Sequence, residues 1–192
     1  MPAGLPTGGA QALRTAAAAV LIGCLAVAGL AGCGGSSPAP RLSARPTLSA
    51  PTAAPTLGDA RVQARQAYLG MWAAFVKASR TADYQAPSLA HYAAGGALSL
   101  LMHGLYSNFR NGIVTRGNPV FHPEVRVASK NGQPFQATVT DCGDSSHWGE
   151  YYKSGKPVSG QAGGRRRIMA KLEPFDGAWK VTYLLVEKEG TC

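Results

Sequence analysis

The spacing of apolar residues in this 192-residue chain changes once, at Ile113, from a helical period to an alternating one, and that change sets the order of its elements. Upstream, Ala64, Ala67, Tyr68, Met71, Trp72, Phe75 and Val76 recur at intervals of three and four, which places them on one stripe of a helix that Asp59 can cap. Arg61, Arg65, Lys77 and Arg80 fall largely off the stripe. Pro87 and Ser88 open a second, shorter helix that runs through Tyr92, and Gly95-Gly96 interrupts it. A third stripe, Leu98, Leu101, Leu105 and Phe109, ends at Asn111-Gly112, which reads as a left-handed cap.

Downstream, two hairpins carry enough pattern to test register. Around Asn131-Gly132 a two-residue turn would put Val127 opposite Gln136 and mismatch the apolar faces. A three-residue loop, Lys130-Asn131-Gly132, instead sets Val127 against Phe135 and Val125 against Ala137. At Asp176-Gly177 a two-residue turn pairs Leu172 with Val181, Ala170 with Tyr183 and Ile168 with Leu185, and places Glu173 against Lys180. Three helices followed by a long antiparallel sheet is an α+β order.

The N-terminus has a different task. Arg14 is the single charge before an uncharged run of Ala, Leu, Val, Ile and Gly from Thr15 to Gly32, the pattern of a signal peptide. Leu30-Ala31-Gly32-Cys33 resembles the lipobox of bacterial lipoproteins, which implies cleavage before Cys33 and a diacylglyceryl group on its thiol. Two acyl chains give the stable anchoring that one chain does not. Cys24, inside the apolar run, reads as a small apolar filler. The expected division is therefore residues 1–32 as signal peptide, 33–57 as lipidated cysteine plus linker, and 58–192 as the folded domain. The linker carries prolines at 38, 40, 46, 51 and 55 among Ser, Thr, Ala and Gly, a composition that cannot bury a core. In polyproline geometry it would reach about 75 Å at roughly 3.1 Å per residue. The expected address is the extracytoplasmic face of the cell membrane, and the Ala, Gly, Pro and Arg bias has an actinobacterial flavour.

Residues 58–192, through their element order, the segment Tyr68-Leu69-Gly70-Met71-Trp72 and the terminal strand Trp179-Lys180-Val181, resemble the NTF2-like (SnoaL-like) superfamily, in particular its lipid-anchored actinobacterial members. The resemblance implies a cone in which a curved antiparallel sheet wraps the first helix. It implies either an enzyme or a noncatalytic binding module, since this fold serves both. Enzymes of the superfamily often set an Asp and a His face to face inside the cone, and no such pair maps onto this sequence. Tyr68, Trp72, Tyr92, His103 and Tyr183 are the residues expected near a cavity, and no catalytic residue is assigned.

Cys142 and Cys192 are the cysteines left after export, and an oxidising compartment predicts a disulfide between them. The run Asp141-Cys142-Gly143-Asp144-Ser145-Ser146-His147 is the most polar in the chain and reads as a hairpin loop, because Asp, Ser and Gly are turn formers and the spacing matches no calcium loop. His91, His103, His122 and His147 share no ligand spacing, so neither metal nor cofactor is expected, and no Gly-x-Ser-x-Gly turn is present. The chain holds 19 Lys and Arg against 10 Asp and Glu, and loss of residues 1–32 removes only Arg14, so the surplus stays with the mature protein. Arg165-Arg166-Arg167 reads as a solvated strand end that discourages edge pairing, and the alternative is a patch for anionic headgroups, wall polymers or an acidic protein face. No nucleic-acid motif is present. The expectation is a noncatalytic envelope lipoprotein that binds a protein partner or a small apolar ligand. The rival is a cone-fold isomerase or hydrolase acting on a hydrophobic substrate, and a third reading is a structural partner of a membrane complex.

Overall fold

The computed structural model describes residues 55–160 and 163–192; the stretch expected as signal peptide, Cys33 and the expected linker up to residue 54 lie outside them. Helices α1 (Leu57–Ser79), α2 (Ser88–Tyr92) and α3 (Gly95–Asn111) precede strands β1 (Ile113–Gly117), β2 (Glu124–Lys130), β3 (Gln133–Asp144), β4 (Trp148–Tyr152), β5 (Arg165–Phe175) and β6 (Ala178–Val186).

The cap of α1 is Thr56, not Asp59. Thr56 Oγ1 accepts the Asp59 N–H (3.1 Å) while Asp59 Oδ2 accepts the Thr56 N–H (3.1 Å), a reciprocal capping box. This arrangement satisfies two end groups where an Asp59 cap would satisfy one, so the helix starts at Leu57, inside the expected linker. The predicted stripe is buried at Ala64, Ala67, Tyr68, Met71, Trp72 and Val76, with Phe75 half-buried. Gly95-Gly96 opens α3 and does not break it. The interruption falls at Ala93 and Ala94, where the Ala94 N–H donates to Val181 C=O (2.9 Å). Gly112 closes α3 in the left-handed conformation (φ 65°), as its sequence position predicts.

The strands form two sheets instead of the one expected: a four-stranded sheet in the order β2-β3-β5-β6 and a separate β1-β4 pair, antiparallel throughout. Helix α1 lies across β2, β3 and β6, and its stripe meets Ala137, Val139, Ile168, Ala170, Leu172, Val181 and Leu184 to make the core. This is an α+β arrangement, with N-terminal helices packed on an antiparallel sheet.

Two β-bulges correct the expected registers. At the first hairpin Asn131 and Gly132 form a two-residue turn with φ of 51° and 76°, closed by Lys130 opposite Gln133. The extra residue sits further in, where Ser129 faces Pro134 and Ala128 faces Gln136, so Phe135 is skipped and left 48% exposed. Val127 then meets Ala137 and Val125 meets Val139, matching apolar to apolar, and Pro134, which lacks an N–H, sits at the irregularity that tolerates it. At the second hairpin the turn, Leu172 against Val181 and Glu173 against Lys180 form as predicted. A bulge between Lys171 and Leu172 then passes over Thr182, giving Ala170 against Leu184 and Ile168 against Val186. Tyr183 and Leu185 are turned to the outer face by this slip.

Candidate ligand cavity

A cavity of about 140 Å³ lies between α1, the β1-β4 pair and the β3-β5 ladder, open to solvent on one side. Its apolar wall is an aromatic chain. The α1 stripe brings Trp72 inward, where Phe121, from the loop between β1 and β2, stacks on it at 4.8 Å and 20°. Phe75 stands edge-on to both Trp72 (5.9 Å) and Trp148 (6.1 Å), the latter at the first position of β4.

Polar groups behind this wall are satisfied. Tyr68 Oη donates to Asp141 Oδ2 (3.0 Å) and the His122 N–H donates to Asp141 Oδ1 (2.9 Å), which fixes the chain next to Phe121. Burial, and then the Asp141 charge, push the Tyr68 phenol well above its usual range, so it stays protonated and donating. The Trp72 indole acts on that phenol in the opposite sense, yet its N–H makes no hydrogen bond of proper geometry. Ser79 and Thr115 share a hydroxyl hydrogen bond of 2.6 Å below the floor.

Satisfaction is incomplete among the residues that line the cavity, although the Thr115 and Ser145 hydroxyls have partners. Among the described residues three buried side-chain N–H groups have no hydrogen-bond partner, Trp72 Nε1, Trp148 Nε1 and Arg166 Nε, and all three residues line this cavity. Each buried donor left unpaired costs roughly 1–3 kcal/mol. Arg166 reaches the cavity because alternation along β5 puts it on the face of Ile168, Ala170 and Leu172, while Arg165 and Arg167 face solvent. Its ladder partner is Gly143, where a Cβ would stand 2.7 Å from Ile168 Cδ1 and 3.1 Å from Phe121 Cε1. Among the described residues Arg166 and Glu150 are the only ionisable side chains of the lining.

Of the five residues expected near a cavity, Trp72 lines this one. Tyr68 lies behind its wall, bonded to Asp141. Tyr92 borders a separate surface groove with His91 and Trp179. His103 is exposed on α3, and Tyr183 is 48% exposed on the outer sheet face, with the Lys171 ammonium 5.9 Å from its ring. The other histidines, His91, His122 and His147, are exposed. Arg166 and Trp148 escaped the sequence reading as cavity residues, although counting back two residues from Ile168 finds the arginine.

The polar run expected as a loop is mostly strand: Asp141 to Asp144 complete β3 because Asp141 is needed inside as the acceptor for Tyr68. The turn proper is Ser145 to His147, where Asp144 Oδ1 accepts the Ser146 N–H (2.8 Å) and hydroxyl (2.6 Å). Those two bonds hold the Asp144 carboxyl below the usual carboxylate range. The disulfide predicted between Cys142 and Cys192 is present, with Cα atoms 6.0 Å apart, and it joins the C-terminus to β3. Among the described residues no group of three or more His, Cys, Asp or Glu is placed to hold a metal ion.

No protein-family model matches the chain. No curated protein matches it either. Among solved structures it is similar to an NTF-2 like protein of unknown function from Shewanella oneidensis MR-1, at 11% identity over 65% of this chain and 98% of that one with a TM-score of 0.41. It is also similar to Aln2 from a Streptomyces species, at 12% identity over 71% of this chain and 94% of that one with a TM-score of 0.44. The intermembrane space region of the chloroplast protein ARC6 aligns at 13% identity over 64% of this chain and 95% of that one, with a TM-score of 0.44. With every one of these scores below 0.5, the likenesses carry no argument about the cavity or its chemistry.

Proposed function

We propose that this chain is a lipid-anchored extracytoplasmic lipoprotein of an actinobacterial envelope, whose NTF2-like domain binds a small ligand with an apolar body and does not transform it. The observation that carries the binding reading is the aromatic-walled cavity, a concave site whose lining sets Trp72, Phe121 and Trp148 beside Arg166 and Glu150. The chemistry of its lining supports binding over catalysis. General acid-base work calls for a group that titrates near neutral pH within reach of the substrate. The four imidazoles are exposed and outside the lining, Asp141 has both oxygens engaged behind the wall, and Glu150 is the one carboxylate of the lining among the described residues, with neither an imidazole nor a second carboxylate beside it there.

Two measurements test the two halves. The full chain, isolated from membranes and sprayed under native conditions, is expected to carry a non-covalent adduct that denaturing conditions release; a mass that matches the lipidated chain alone in every preparation counts against the binding reading. Cys33→Ala is expected to move the protein out of the membrane fraction, and unchanged sedimentation with membranes counts against the anchor.

A further inference from the structure

We infer that the end of the domain where α1 and α3 terminate rests on an anionic phospholipid surface, with Tyr106, Phe109 and Tyr152 entering its headgroup layer and Arg110 and Lys153 meeting its phosphates. This inference rests on the membrane-anchor half of the reading above and adds a face by which the domain itself touches the bilayer. On α3, Met102, Tyr106 and Phe109 recur at four and three residues and share a stripe, and Tyr106 and Phe109 are 42% and 45% exposed. The Tyr84 ring, from the turn after α1, stands 5.1 Å from the Tyr106 ring and 5.3 Å from the Phe109 ring, which joins the stripe into one patch. The end of β4 extends it: the Lys153 N–H donates to the Gly112 carbonyl (2.8 Å), the Lys153 ammonium lies 5.5 Å from the Phe109 ring, and Tyr152 is 44% exposed.

The charge around the patch is predominantly positive. Arg80, Arg110, Arg116 and Lys153 are exposed there. Arg80 donates to Asn118 Oδ1 (3.0 Å) and the Arg116 guanidinium lies over the Tyr151 ring (4.7 Å), so α1, α3 and the β1-β4 pair bring these cations to one end. No Asp or Glu occurs between Asp83 and Glu124 or between Glu150 and Glu173. Asp83, whose Oδ1 accepts the Gln85 N–H (3.1 Å), offsets one of the positive charges, and Glu150 lines the cavity instead. Aromatic rings beside lysine and arginine suit a membrane-water interface, where rings sit at headgroup depth and long cationic side chains reach the phosphates. The tether permits the contact. An extended linker of about 75 Å exceeds the length of α1, about 35 Å for its 23 residues, so the domain reaches the bilayer with the end opposite its attachment. Anchoring also makes docking an intramolecular step, for which a weak patch suffices.

The test places the full lipidated chain carrying Phe109→Trp in nanodiscs of phosphatidylglycerol or of phosphatidylcholine, each with the same fraction of brominated acyl chains, which quench an indole that reaches them. The unsubstituted chain in the same discs gives the background of its three tryptophans. The added emission is expected to be quenched on phosphatidylglycerol and several-fold less on phosphatidylcholine. Each cation near an anionic surface shifts the docked-to-free ratio about five-fold, so Arg110→Gln with Lys153→Gln should lower that ratio about 25-fold. Both side chains are exposed, so these changes leave the core intact. Salt at about 1 M, where the screening length is about 3 Å, should act in the same direction. An added indole that stays unquenched on phosphatidylglycerol, in a chain that co-elutes with the discs, overturns the inference and leaves the anchor standing; if such discs hold two chains, the patch belongs to a second copy. Equal quenching on both lipids, or quenching indifferent to the paired Gln substitutions, overturns docking by charge. A chain that elutes apart from the discs refutes the anchor and this inference together.

Discussion

Tyr68→Phe deletes one oxygen atom and leaves Asp141 Oδ2 without its donor, while Oδ1 keeps the His122 N–H at 2.9 Å. Asp141 is 5% exposed, so water does not replace the phenol without opening the core. A hydrogen bond to a charged group contributes about 1.5–3 kcal/mol, and a carboxylate that remains buried after losing its donor belongs at the upper end, about 3 kcal/mol. For roughly 135 ordered residues the unfolding entropy is about 0.28 kcal/mol/K, so Tm should fall by roughly 10 °C. Urea denaturation of the disulfide-intact protein reads the free energy and calorimetry reads Tm. A double-mutant cycle with Asp141→Asn should give a coupling of about 1–2 kcal/mol, because the two groups touch. The alkaline limb gives a second reading. With its folded pKa raised, Tyr68 contributes stability that is full below the unfolded value near pH 10 and is lost as pH rises above it. Wild type should therefore lose stability more steeply than Tyr68→Phe in that window. A Tyr68→Phe protein within about 0.5 kcal/mol of wild type at pH 7 would show that the phenol does not hold this carboxylate, and the argument for a fixed aromatic wall would fail with it.

Two glycines in helices should respond in opposite directions to alanine. At Gly70 a Cβ would lie 2.5 to 2.8 Å from three ring atoms of Tyr92, so displacement of that ring should outweigh a helix-propensity gain of about 1 kcal/mol; at Gly104 nothing lies within 4 Å and the gain should appear, both read by urea midpoints. The disulfide spans 50 residues, and replacing both cysteines with serine should cost about 4 kcal/mol in guanidinium titrations; a loss below about 1 kcal/mol would mean that the C-terminal segment frays independently. Asp59, chiefly through the Thr56 hydroxyl, and Asp144, chiefly through Ser146, have folded pKa values below the unfolded carboxylate value, so each contributes stability that is present above about pH 4 and lost as pH falls further. Asp59→Asn should flatten the acid limb of a stability profile between pH 6 and pH 2.

Periodicity made the helices legible. The stripes of α1 and α3, the Gly112 cap and the positions of both hairpin turns can be read because each depends on residues close in sequence. The bulges cannot be read this way. Phe135 and Thr182 carry no mark of being skipped; they are passed over because α1 buries one face of the sheet and the strands slip until apolar side chains fill it. The slip decides where Tyr183 points, and it carries that residue away from the cavity. Trp148 escaped for a different reason. Its strand pairs with β1 across a separate two-stranded sheet, a long-range choice that local pattern does not encode.

The three consecutive arginines show how much a strand changes the meaning of composition. Alternation leaves Arg165 and Arg167 in solvent and turns Arg166 toward the cavity, so one side chain of a basic run is separated from the surplus charge on the surface. The face from which the Arg166 side chain leaves the strand is fixed only while its backbone is held. Here it is held on both sides. Arg166 faces Gly143, while the next rung pairs Arg167 with Cys142, the residue linked to Cys192. Thr191 Oγ1 accepts the Arg167 N–H at 2.9 Å, and the Gly190 N–H donates to the Arg165 carbonyl at 2.8 Å. The C-terminal segment thus clamps the two residues flanking Arg166, and the disulfide ties that segment to the strand across from it. The staple that stabilises the domain therefore also fixes the backbone from which the cation of its cavity extends.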